Sequence, residues 1–194
     1  MEVHETHEKI EEAAHGYRNK RIAILIAVLA ALLAVTDTGG KSAQNAYMAY
    51  NIEAANLWAF FQAKTVRMTT VRTAAELLAA TVPEGLPPAR AQAVEEQLAQ
   101  WKSTAERYDS EPSTGEGRQQ LAERTKASEA KRDHALAAYH RFEYGAAAFQ
   151  LAIVLASASL VTGVTFLSFT AGSLGVVGTL LALLGWLTPT LLHL

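Results

Sequence analysis

The run YGAAAFQLAIVLASASLVTGVTFLSFTAGSLGVVGTLLALLGWLTPTLL, from Tyr144 to Leu192, contains no Asp, Glu, Lys or Arg. A membrane-spanning helix needs about 20 consecutive apolar residues, so this run holds two spans and a turn. The spans fall at 145–168 and 171–192, with the uncharged, Ser-bounded segment 168–173 as the turn. A shorter apolar stretch at 22–38 supplies a third. Arg18, Lys20 and Arg21 precede it as they would in a signal peptide. A Glu-rich polar segment lies before them, however, and Thr36-Asp37-Thr38-Gly39-Gly40 follows where a small-residue cleavage site would stand. The expectation is an uncleaved first span.

Residues 1–21 read as an amphipathic helix leading into that span, with Val3, Ile10 and Tyr17 one heptad apart. Gly39-Gly40 reads as its end, because paired glycines carry a large entropic cost inside a helix. Residues 43–82 contain neither Gly nor Pro and predict one long polar and aromatic helix, stopped by Pro83-Glu84-Gly85-Leu86-Pro87-Pro88. Residues 89–144 predict a helical hairpin. Its first helix carries the apolar stripe Val94, Leu98, Trp101, Ala105 and Tyr108, 109–117 is a loop, and the second helix runs from Arg118 into the next span. The fold class is all-α: an integral membrane protein with three transmembrane helices and a helical extramembrane insert.

Composition narrows the function. A net charge of −2 with Lys and Arg dispersed among Glu gives no footprint for nucleic acid. The absence of cysteine removes disulfides, thiolate metal sites and thiol catalysis. No Gly-rich phosphate loop, Gly-x-Ser-x-Gly or His-Glu-x-x-His occurs, so no reaction and no cofactor is indicated. His4, His7, Glu8 and Glu11 share a helix face and Glu12 with His15 forms one Glu-x-x-His, but a carboxylate-bridged metal site needs a second such motif.

Helices in lipid associate where small residues let backbones approach. Each span has such a seam: Ala23, Ala27, Ala30 and Ala34 in the first; Ala148, Ala152, Ala156, Ser159 and Gly163 in the second; Ala171, Gly175, Gly178, Ala182 and Gly185 in the third. Packing within the chain is the first expectation for them, and self-association the second. Tyr139, Phe142, Tyr144 and Trp186 stand where aromatic rings favour the membrane interface.

Charge placement is inconsistent with one crossing before the insert. Arg18, Lys20 and Arg21 favour a cytoplasmic N-terminus, while Lys131, Arg132 and Arg141 favour a cytoplasmic insert. A fourth, polar crossing by 43–63 would reconcile them. That segment has one charge, Glu53, but also Asn45, Asn51 and Asn56, which lipid would penalise. Asn45, Asn56 and Arg67, spaced by eleven, lie within ~40° of one another on a helix drawn at 100° per residue, with Glu53 close by. With Asp37 at the end of the first span they are the candidate binding residues, and the same stripe also reads as a solvated face.

The segment NAYMAYNIEAANLWAFFQAK, Asn45 to Lys64, following a first span and followed far downstream by a hydrophobic hairpin, resembles the family known as domain of unknown function 4337. The resemblance implies a small bacterial membrane protein and supplies no catalytic role, and the expected location is the inner membrane. It makes Asn45, Asn51, Glu53, Asn56, Trp58, Gln62 and Lys64 matches to the family motif. The expected function is a non-enzymatic, self-associating scaffold or an accessory subunit partnered by other membrane proteins. The alternative is a small oligomeric channel or transporter whose pathway is lined by Asn45, Glu53 and Asn56 with Asp37 at its mouth.

Overall fold

The computed structural model describes the backbone of residues 2–190 and the side chains of residues 16, 17 and 19–190. Among them the chain is wholly helical, with no strand: α1 (Glu2–Thr81), α2 (Pro88–Asp109), α3 (Arg118–Thr162) and α4 (Thr165–Leu187). The side chains of His4, His7, Glu8, Glu11, Glu12 and His15, and residues 191 and 192 of the third expected span, lie outside the described set. Three of the helices are long and apolar enough to cross a membrane, α1, α3 and α4.

α1 is a single helix of 80 residues, about 120 Å long at 1.5 Å per residue. This corrects the expected break at Gly39-Gly40. Two interior glycines cost roughly 1 kcal/mol each against Ala, but here they admit neighbours that a side chain would exclude. A Cβ on Gly39 would lie 2.8 Å from Cε1 of Phe142 and 3.1 Å from Nε1 of Trp186, and one on Gly40 would lie 3.4 Å from Cβ of Phe142. Close approach, not chain termination, explains the pair. Residues 43–63 continue α1 without a break.

The real breaks come where the backbone is constrained. Pro83 to Pro87 separates α1 from α2, with Gly85 at φ +80°, and Gly115, at φ +69°, lies between α2 and α3. The turn between the last two helices is Gly163-Val164, not 168–173. Gly163 takes φ +74°, a left-handed conformation that other residues rarely adopt. Ser168, Thr170 and Ser173 sit inside α4 and donate to the carbonyls of Thr165, Phe166 and Phe169 at 2.7, 3.0 and 3.1 Å. Their hydroxyls are thus satisfied within the helix.

The chain divides into two compact units, residues 1–47 with 133–194, and residues 48–132. The first is a three-helix bundle. Its buried centre is Ile22, Leu29, Phe149, Ala152, Ala156 and Ala171. Leu29 faces Gly175, where a Cβ would come within 2.6 Å of its Cδ2, and Gly178 meets both Phe149 and the Gly145 carbonyl. α1 and α4 therefore run parallel here, with α3 antiparallel to both. In the seams of α3 and α4, Ala152, Ala156, Ser159, Ala171, Gly175, Gly178 and Gly185 are buried, and Ala148 and Ala182 half-buried. Gly163 belongs to the turn rather than to the packing. The α1 seam is the exception, since Ala23, Ala27, Ala30 and Ala34 are all exposed while the bulkier Ile22 and Leu29 turn inward. Phe142, expected at the interface, is core.

The second unit packs α1 against α2 and the first part of α3, burying Ala54, Leu57, Met68, Ala105 and Leu121. Trp58 Nε1 donates to Glu129 at 3.0 Å, and its ring meets Phe61 edge-on at 5.3 Å.

Candidate functional site

Among the described residues, a polar cluster stands in each unit. In the first, the face of α1 from Thr36 to Gln44 and that of α3 from Tyr139 to Gln150 enclose an open cleft of about 500 Å³. The backbones come together there because Gly40 has no side chain and Phe142 fills the space it leaves. Thr36 is buried at the cleft wall and donates to the Leu32 carbonyl at 2.8 Å, so its hydroxyl is occupied within the helix.

The cleft gathers Asp37, Lys41, Gln44, Tyr139, Glu143 and Gln150 beside the apolar Phe142, Ala146 and Ala147. The Tyr139 hydroxyl donates to Glu143 Oε1 at 3.5 Å, and His140 Nδ1 lies 3.6 Å from Glu143 Oε2. Asp37 and Lys41 are one turn apart, and among the described residues neither forms an ion pair with the other. Asp37, Lys41 and Glu143 all line the same open cleft. No three metal-ligating side chains gather among the described residues.

Arg141 lies on the opposite side of α3 from Tyr139. It is 4% exposed, and its Nη1 has no hydrogen-bond partner. Gly185 makes room for it, since a Cβ there would stand 3.2 Å from Cβ of Arg141.

In the second unit the polar centre is a clasp. Lys64 is buried, with Nζ 3.6 Å from Glu116 and 3.9 Å from Glu111, over the rings of Phe60 and Tyr108 at 5.4 and 5.5 Å. Arg118, at the start of α3, donates to Asp109 Oδ1 and to Thr65 Oγ1, each at 2.9 Å, and its guanidinium sits over Phe61. Together they hold the loop between α2 and α3 against α1. Sequence reasoning placed Lys64 in a motif but did not find the clasp, because its partners lie some fifty residues downstream.

The candidate residues taken from the sequence do not converge. Asp37 joins the cleft. Asn45, Asn56 and Arg67 are exposed along α1. Glu53 accepts a hydrogen bond from Ser128 Oγ at 3.1 Å, and Ser128 also donates to the Tyr50 carbonyl. The cleft partners Lys41, Gln44, Glu143 and Gln150 escaped the sequence reading, because their juxtaposition depends on the helix continuing through Gly39 and Gly40.

The fold and its cleft define an all-helical protein with three helices capable of crossing a membrane. The chain belongs to the family described as Domain of unknown function (DUF4337), whose model matches residues 18–188. No curated protein and no solved structure matches it.

Proposed function

We propose that the chain is a non-enzymatic, multi-pass protein of the bacterial inner membrane that self-associates as a scaffold or as an accessory subunit of a larger membrane complex. In this reading 22–38, the apolar part of α3 and α4 cross the bilayer, and residues 48–132 form a helical insert outside it. The outward surface of the three-helix unit supports the crossing. Leu151, Val154, Val161, Phe166, Phe169 and Leu187 are all more than half exposed, an apolar surface that water would not tolerate on a monomer. Tyr144 and Trp186, also exposed, stand at one border.

The observation that carries self-association is the exposed alanine seam of α1. Ala23, Ala27, Ala30 and Ala34 fall on one face and take no part in the chain's own core. In lipid, packing of small residues is a main source of helix affinity, so a second helix gains contact there that lipid chains do not supply as closely. A pore lined by Asn45, Glu53 and Asn56 is the weaker alternative, since Glu53 is engaged by Ser128 and the stripe follows the first span rather than lying in it. Single-molecule photobleaching in lipid nanodiscs or native vesicles tests the reading. More than one bleaching step per particle is expected, and strictly single-step bleaching at all protein densities would overturn it.

A further inference from the structure

The apolar stretches of α1 and α3 both end at the cleft. Residues 22–36 of α1 carry no charge, and the first two charged residues after them are Asp37 and Lys41. Gln150 is the one Asn or Gln in the charge-free run from Tyr144 to Leu192. All three line the cleft, which lies wholly within the three-helix unit. Apolar side chains flank it in sequence, Val35 on α1 and Tyr144, Leu151 and Val154 on α3, each at least half exposed. Under the membrane placement proposed above, the cleft stands at the border where hydrocarbon gives way to headgroups.

Hydroxyls in these apolar stretches are satisfied by their own helices: Thr36, Ser157 and Thr179 donate to carbonyls one turn back, each at 2.8 Å. The cleft differs. Asp37, Lys41, Gln44 and Gln150 form no hydrogen bond or ion pair with another described residue. Glu143 is reached only from its own helix, by Tyr139 at 3.5 Å and His140 at 3.6 Å. Polar side chains at membrane depth call for polar partners, and the described residues supply none for the first four.

The charges select the partner. Two carboxylates against one ammonium disfavour a purely anionic ligand, and Lys41 disfavours a purely cationic one. Asp37 and Lys41 stand one turn apart, with ~6 Å between Cβ atoms at that spacing, a separation that a two-carbon link between phosphate and ammonium spans. A primary ammonium offers three donors to carboxylate and amide oxygens. A quaternary ammonium offers none and is held by aromatic cages, whereas the aromatic lining here is Tyr139 and the buried Phe142.

We propose that the cleft binds a phosphodiester bearing a primary ammonium, the headgroup of a phosphatidylethanolamine-type lipid. Lys41 takes the phosphate, Asp37 and Glu143 take the ammonium, and Gln150, nearest the hydrocarbon, donates to the ester carbonyls while the acyl chains descend along Leu151 and Val154. This rests on the membrane placement proposed above and not on self-association.

Native mass spectrometry of the detergent-solubilised full chain, offered dioleoyl phosphatidylethanolamine, phosphatidylcholine and phosphatidylglycerol at equal concentration, tests the site. Retention of the ethanolamine lipid is expected to be roughly tenfold higher, about the effect of one hydrogen bond to a charged group. Asp37→Asn with Lys41→Gln, both at exposed positions, should abolish the preference while helical circular dichroism is retained. Lys41→Arg should keep it, and Lys126→Gln, exposed in the second unit, should leave it unchanged. Equal retention of the three lipids, preference for phosphatidylglycerol, or a preference that survives the double variant would overturn the site. Displacement of the lipid by soluble phosphoethanolamine at comparable concentration would overturn the lipid as the source of the headgroup chemistry. Any of these results with Gly16→Cys and Lys102→Cys labelled from opposite sides of the membrane would leave the crossing standing, and labelling from one side would overturn the crossing and the site together.

Discussion

Gly39 of α1 and Phe142 of α3 meet so closely that a methyl group on the glycine would stand 2.8 Å from one ring carbon and 2.9 Å from the next. No Cβ is accommodated at that distance unless the ring moves, and the ring is buried. The contact joins the helices at the cleft and explains why α1 passes through two glycines without ending.

Gly39→Ala should therefore destabilise the three-helix unit, although alanine is the better helix former by about 1 kcal/mol. Overpacking costs typically ~1–3 kcal/mol, so the net loss is of order 1 kcal/mol. Adding Phe142→Leu should recover part of it. Thermal loss of helical circular dichroism in a mild detergent measures both, and a Gly39→Ala protein as stable as the parent would show that the ring yields freely.

The Arg118 clasp should behave as a coupled pair. Arg118→Ala and Asp109→Ala each remove the 2.9 Å ion pair, and the double variant should cost less than the sum by roughly 0.5–1 kcal/mol, since contacting residues are non-additive. The arginine is partly exposed, which screens the pair and keeps the figure low. Limited proteolysis should show faster cleavage between α2 and α3 in either single variant. Unchanged cleavage would mean that the loop is held by other contacts.

Arg141 predicts the opposite sign. A buried guanidinium whose Nη1 has no hydrogen-bond partner carries a desolvation cost, which an apolar side chain of similar length would not. Arg141→Met should leave the melting temperature unchanged or raise it. A marked fall would mean that the guanidinium has a partner in the membrane, such as a lipid phosphate, which delipidation of the parent protein would reveal by the same loss.

Much of this architecture was legible in the sequence. Pro83 to Pro88 ends α1, the 109–117 loop separates α2 from α3, and α3 passes straight into its apolar half, all as the residue pattern predicts. What was misread shares a physical cause. Glycine and serine read as breakers by their local preference, but Gly39 and Gly40 are used for packing distance and Ser168, Thr170 and Ser173 return their hydroxyls to the helix backbone. The alanine spacing in α1 identified a face without saying which way it turned. That depended on Leu29 finding its space opposite Gly175, almost 150 residues away. The cleft was hidden for the same reason, as only one of its charged residues lies at a position that sequence logic singles out.

The exposed alanines predict a selective effect of bulk. Ala27→Leu with Ala34→Leu should weaken association in the bilayer by roughly tenfold or more, because close backbone approach is lost, while Val154→Leu on the exposed face of α3 should not. Förster transfer between labelled copies at varied lipid dilution gives the comparison. Equal dilution curves for the two variants would move the contact away from α1.

If α1 crosses the bilayer once, as proposed, residues 48–132 lie on the side opposite residue 16. Gly16 and Lys102 are both exposed, so Gly16→Cys and Lys102→Cys can be labelled separately with a membrane-impermeant thiol reagent in intact cells and in inverted vesicles. Labelling from opposite sides is the predicted result. Labelling of both cysteines from the same side would contradict a single crossing, and with it the membrane placement on which the proposed function rests.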